Sequence, residues 1–293
     1  MQTLATDLDH VGTIVRDLDK GRAQFEAMGF RLTARSQHRG AVDPGGPVQP
    51  LGQANHCAML RSGYLEVLGI VDNNLPTPAS VHLNKYEGLH IVSVRPSSIN
   101  DVLPLAGQGP LDAARDLGRE VLYGPSGAEK RPVRFTNIRF ATASFPEAQF
   151  MFTEHLTRET MWQPHLLEHP NGADALSCVF VCSNEPGTLA RRLGDVYGVT
   201  PTASGSEQHE LKLQQSSVLV ASPDALRAMF PGVPIPDGAR PVGYQVTTVS
   251  LDKLVDVLTR NGVPHREAPA GGVFVGPGHA CGNVLHFVER KPS

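Results

Sequence analysis

The sequence lacks the marks of several large protein classes. Its 293 residues include four cysteines, Cys57, Cys178, Cys182 and Cys281, too few and too scattered to staple a chain of this length. There is no basic excess: Lys and Arg number 26 against 29 Asp and Glu, a net charge of −3. General binding to nucleic acid or to an anionic membrane needs clustered cations, so neither is expected. No apolar run reaches the roughly 18–20 residues that span a bilayer. The opening MQTLATDLDH carries acids where a secretory leader has a basic stretch and an apolar core, so a cytoplasmic protein is expected. No GxGxxG follows a strand-like run, and P-loop and GxSxG motifs are missing, so nucleotide-cofactor and serine-hydrolase chemistry find no support. Aromatic residues are sparse at 6%, with one Trp. What is plentiful is glycine (29) and proline (24), which implies many turns between short strands.

A weak internal repeat organises the chain. LDHVGTIVRDLDKGRAQFEAMGF reads as a strand and then a helix over 18–28 that stops at Gly29, with FRLTARS, HCAML and YLEVLGIV as three further strands. The order βαβββ recurs from GLHIVSV, from LSCVFVCSN and from GYQVTTVSL. The clearest helices, Thr188–Tyr197 and Leu251–Asn261, are each followed by glycine (Gly198, Gly262). The expected fold is therefore α+β, with four βαβββ modules paired into two cup-shaped domains. These are 1–156 and 173–293, joined by a polar connector over 157–172. Ser36–Asn55 and Gly107–Pro132 lack periodicity and read as long loops, the second with a short helical stretch over Leu111–Leu117.

Chemistry concentrates in the first two modules. His10 stands in the opening strand, and Glu66 interrupts the apolar run YLEVLGI. A buried carboxylate costs several kcal/mol unless a cation or strong donors compensate it. A metal ion is one such compensation. His90 in GLHIVSV takes the place that His10 has in LDHVGTIV. Two histidines and a carboxylate on matched strands suit Zn²⁺, Ni²⁺, Fe²⁺, Mn²⁺ or Co²⁺ and leave coordination positions open. His56 in NHCAML is a candidate proton shuttle or further ligand, or simply the cap of a strand end. His38 and Arg39 could meet an anionic substrate but read more readily as solvated loop. His165 and His169 are irregularly spaced, and Cys178 and Cys182, on one strand face, read as small buried residues.

On LDHVGTIV, YLEVLGI and GLHIVSV, set in repeated βαβββ units, the chain resembles the vicinal oxygen chelate superfamily. That group includes glyoxalase I, extradiol dioxygenases and bleomycin-binding proteins. The resemblance implies a cup-shaped sheet around a divalent metal held by His10, Glu66 and His90, and a small substrate that chelates it through two adjacent oxygens. It also implies a Glu on the last strand of the second module. There the sequence has Phe152 or Met151, with Glu154 one period further on and His155 facing the other way. Glu154 and His56 are the candidate catalytic proton carriers. Modules three and four show Ser177, Tyr244–Gln245 and His286 at the corresponding places, which implies a metal-free half serving packing, homodimer formation or cleft closure. Lyase or isomerase chemistry is the leading expectation. A ring-cleaving dioxygenase and a metal-free small-molecule binder are the alternatives.

Overall fold

The computed structural model describes residues 2–40, 42 and 46–291. The first module runs β1 (Ala5–Val15), α1 (Leu18–Ala27), β2 (Ser36–Gly40), β3 (Gln49–Met59) and β4 (Tyr64–Ile70). After a short α2 (Ser80–Leu83), the second runs β5 (Gly88–Pro96), α3 (Ile99–Val102), β6 (Arg115–Tyr123), β7 (Glu129–Arg139) and β8 (Gln149–His155). The connector holds α4 (Arg158–Met161). The third module is β9 (Ala173–Cys182), α5 (Pro186–Tyr197), β10 (Thr202–Ala203), β11 (Gln208–Lys212) and β12 (Ser217–Ala221). Following α6 (Pro223–Met229), the fourth is β13 (Arg240–Thr248), α7 (Leu251–Arg260), β14 (His265–Glu267), β15 (Val273–Val275) and β16 (Val284–Glu289). Local chemistry sets the helix ends: Asp17 accepts from Lys20 N at 3.0 Å, Ser250 accepts from Lys253 N at 3.2 Å, and Gly198 closes α5 at φ 69°.

The modules pair as the repeat predicts. One eight-stranded sheet has the order β2-β3-β4-β1-β5-β8-β7-β6, and the other β10-β11-β12-β9-β13-β16-β15-β14. In each, the opening strands of two modules lie antiparallel at the centre. The outermost strands β2 and β6 approach one another, so the first sheet curls into a nearly closed cup. No helix among the described residues is long and apolar enough to cross a membrane.

Both stretches read as loops are in fact strands. Ser36–Asn55 contributes β2 and most of β3, while residues 41 and 43–45 lie outside the described residues. Gly107–Pro132 contributes β6, which pairs with β7 from Arg115 to Tyr123, so no helix forms over Leu111–Leu117. The cause is position: β2 and β6 are sheet edges, only half covered, and their inward faces are mixed, with His38 in β2 and Arg119 between Leu117 and Val121 in β6.

The two sheets share one core. Phe140 and Phe152 of the first half pack on Tyr197 of the second, with ring centroids 5.7 and 6.2 Å apart. β1 is bonded across the same boundary: Leu8 N–H donates to Ser216 Oγ (2.8 Å), and Asn283 Nδ2 donates to Thr13 Oγ1 (2.9 Å).

Candidate active site

The first cup encloses a cleft of about 660 Å³. Its floor comes from alternate residues of the central strands, with His10 and Ile14 from β1, Glu66 and Leu68 from β4, and Ile91 from β5 among them. Gly12 leaves room at the centre: a Cβ there would lie 2.8 Å from Ile91 Cβ.

A bulge in β1 creates the most distinctive arrangement. The pairing with β5 steps between Leu8 and His10, so Asp9 is the extra residue. Asp9, instead of facing away from His10, is within 2.7 Å of His10 Nδ1 and 3.1 Å of His155 Nε2 through the same Oδ1. Burial alone would raise the Asp9 carboxyl, but the His155 and His10 rings outweigh it and hold it well below the usual carboxylate range. An ionised carboxylate only accepts, so both ring nitrogens donate to it. His10 Nε2 is left with no protein partner, on a ring that lines the cleft and stacks on Tyr64 at 4.5 Å. Asp9 Oδ2 is buried with no partner at all.

Glu66 is two places along β4 from Tyr64, on the same face. Its Oε1 accepts from Asn55 Nδ2 and lies 3.7 Å from His38 Nε2, while Arg119 Nη1 donates to Asn55 Oδ1 at 3.3 Å. Burial lowers the pKa of His38, partly opposed by Glu66. The structure thus brings His38, read from sequence as solvated loop, into the site.

His90 also lines the cleft, but it is not the counterpart of His10. β5 has its own bulge, at His90, so the pseudo-twofold between the modules places Ile91 opposite His10 and His90 opposite Asp9. His90 stacks on Tyr86 (3.9 Å) and donates from Nε2 to Tyr86 O at 2.9 Å. Burial pushes its pKa down to about 4, against the pull of that carbonyl.

Neither expected proton carrier reaches the cleft. On β8 it is Gln149, Met151 and Thr153 that face it, with His155 continuing that face to Asp9. Glu154 lies on the other face with Phe150 and Phe152, which are fully buried in the shared core. His56 lies on the far side of β3 from Asn55, in a separate small depression beside α1, with Nδ1 donating to Thr33 O at 2.8 Å. His169 is structural: Nδ1 accepts from Arg31 N and Nε2 donates to Met59 O. Trp162 anchors the connector by donating to Leu60 O at 3.0 Å, with Arg158 over its ring.

The second cup is different. Its bulges, at Ser177 and Val242, align it with the first and put Cys178 where His10 stands, Leu219 for Glu66 and Val242 for His90, rather than Ser177 and Tyr244–Gln245.

A scan against family models matches the glyoxalase-like domain over residues 8–197. The chain belongs to this glyoxalase-like family. Similar solved structures include a hypothetical protein from Staphylococcus aureus, with 11% identity and a TM-score of 0.64 over 97% of this chain and 99% of that one. A mutant 4-hydroxymandelate synthase from Streptomyces coelicolor aligns with 11% identity and a TM-score of 0.58 over 99% and 94%. The Mn(II)-bound glyoxalase from Novosphingobium aromaticivorans aligns with 14% identity and a TM-score of 0.53 over 98% and 83%. At such identities these likenesses show the fold. A search among curated proteins found no match.

Glyoxalase-like folds imply a divalent metal, and the donor chemistry here is suitable. His10 Nε2, Glu66 Oε2 and His90 Nδ1 are each free while the other polar atom of the same side chain is engaged. The geometry does not match that chemistry. Among the described residues no three His, Cys, Asp or Glu side chains come close enough to hold one ion. His10 is turned onto Asp9 and Tyr64, and His90 onto Tyr86. The three share a cleft without forming a ready-made centre.

Proposed function

We propose that this glyoxalase-like protein is an enzyme that takes a small, oxygen-bearing substrate into the first cup and moves a proton with His10. The observation that carries this reading is the buried Asp9–His10 pair. The carboxylate holds the ring by Nδ1 and leaves Nε2 facing the cleft as a base. The reaction class it suits is proton abstraction beside a carbonyl, as in isomerase and lyase chemistry. Asn55 and Arg119 hold Glu66 in place on the other side of the cleft. Asp9 is a positioning residue, and His155 supports it from behind.

The test is deuterium wash-in from D2O, followed by NMR, over a panel of α-hydroxyketones, α-ketoacids and α-hydroxyaldehydes. Exchange should be catalysed for at least one class. His10→Gln should reduce it about 10²–10⁴-fold. Asp9→Asn should slow exchange with little change in substrate affinity, because the ring loses the acceptor that fixes its tautomer and orientation. Exchange unaffected by His10→Gln would overturn the assignment. Absence of exchange, together with a ligand-dependent rise in melting temperature, would favour a binding protein.

A second reading keeps the metal. The free donor atoms on His10, Glu66 and His90 favour it, and it requires the three side chains to turn toward a common point. A Zn, Ni, Fe, Mn or Co ion there would act as a Lewis acid on adjacent substrate oxygens. Elemental analysis and calorimetric titration with each ion decide it: about one equivalent lost in both His10→Ala and His90→Ala supports it, and no binding of any ion removes it.

A further inference from the structure

The end of the cleft beyond His90 is lined by cations that, among the described residues, form no ion pair. Arg139 ends β7, and Arg240 begins β13 in the second half of the chain yet lines the cleft of the first. His82, in α2, and Lys85, just after it, line the same cleft. The Arg240 guanidinium sits 3.9 Å over the Tyr86 ring; Tyr86 stacks on His90 at 3.9 Å; and the His90 ring is 5.0 Å from that of His82. Among the described residues, Lys85, Arg139 and Arg240 have no carboxylate within 4.0 Å. Of the acids that line this cleft, Glu147 is engaged by Arg192 at 2.8 Å and Asp237 by Arg227 at 3.3 Å, while Asp112 acts on Arg139 only from beyond 4.0 Å. Arg240 Nε is buried with no hydrogen-bond partner.

Holding a guanidinium group partly out of water with no carboxylate beside it is unfavourable, and a chain does not do so twice in one cleft without something to offset it. Burial and Arg115 lower the pKa of Arg139, and Asp112 opposes them only in part. An anion entering the cleft would relieve all of these costs at once. Guanidinium groups offer paired donors with the geometry of carboxylate and phosphate oxygens.

We infer that Arg139 and Arg240 form a recognition site for an anionic group of the ligand, a carboxylate or a phosphate, with Lys85 and His82 at its rim. The inference deepens the proposal that the first cup binds a small substrate, and it assigns the second half of the chain a part in choosing that substrate. Arg240 is the residue through which that half reaches the ligand, so the second cup need not be a working site for the second half to matter.

The test measures binding without turnover. Inorganic phosphate is titrated by 31P NMR, and acetate, pyruvate and malonate by saturation-transfer NMR, at ionic strength held constant with NaCl. The intact protein should bind phosphate or a carboxylate in the millimolar range, and the comparison shows which of the two is preferred. Arg139→Gln and Arg240→Gln should each weaken binding about tenfold or more. Arg240→Lys should fall between, because it keeps the charge and loses the fork. Melting temperatures near that of the parent establish that the variants fold. His10→Gln should leave anion binding intact while removing proton exchange, so the two proposals fail separately. No binding of either anion class by the parent, or affinities unchanged in folded Arg139→Gln and Arg240→Gln, overturns the inference.

Discussion

The two cups have the same strand order and the same pair of bulges, yet one is open and polar while the other is filled. In the first, Gly12 on β1 faces Ile91 on β5; in the second, Phe180 on β9 faces Gly243 on β13. The bulky residue has changed strands. The link between the paired modules also differs. In the first half it ends in the four-residue α2, which covers part of the cleft wall with Ala79 and Leu83. In the second it carries α6 and Phe230, whose ring lies 5.1 Å from Phe180 and 5.5 Å from Phe274. His286, the histidine among them, has Nε2 on Gly271 O and a buried Nδ1 with no partner. Sheet register preserves positions, and side-chain volume at a few of them decides whether a position becomes a site or a core.

Phe230→Ala would unplug the second cup and should show the largest effect, a loss of about 3–5 kcal/mol in urea unfolding, because the ring is fully buried among others. A loss under 1 kcal/mol would mean that the plug is loose and that the contrast between the cups is overstated. Gly12→Ala works in the opposite direction, beginning to fill the first cup. Its methyl group would press on Ile91, and overpacking should cost about 1–3 kcal/mol by the same assay.

The elements that were readable in the sequence are those with one face in the shared core. Val11 and Val15 in β1, and the apolar spacing of α5 and α7, announce themselves because burial imposes a period. β2 and β6 do so less, since His38 interrupts the inward face of one edge strand and Arg119 that of the other. The site divides in the same way. His10 and Glu66 stand out as polar breaks in apolar strands. Asp9 is hidden because only a bulge turns it to the same side as its neighbour, and the bulge at His90 shifts the match between modules by one residue. His155 reads as facing away because the Phe150–Phe152 face is naturally taken as the site face, whereas it is the core face. Arg240 has no local signal, since what matters is a contact across about 150 residues of chain.

The smallest expected effect concerns acid stability. The pKa of His90 falls from 6.5 to about 4 on folding, so the unfolded chain binds the proton more readily. Stability from this group is complete above about pH 6.5 and is lost as pH falls toward 4. His90→Val, which copies Val242 of the second cup, should flatten the fall in melting temperature across that window. An unchanged slope would show that other groups set it.

The seam along β1 bears on how the chain is made. Its first strand is bonded to residues 208 and 270 positions further along, at Ser216 and Asn283. At roughly 5–20 residues per second, the face of β1 waits on the order of tens of seconds during synthesis before its partners exist. The apolar residues that will join the shared core are uncovered for that interval, and a chain cut short before Ser216 has neither of these bonds to close its seam.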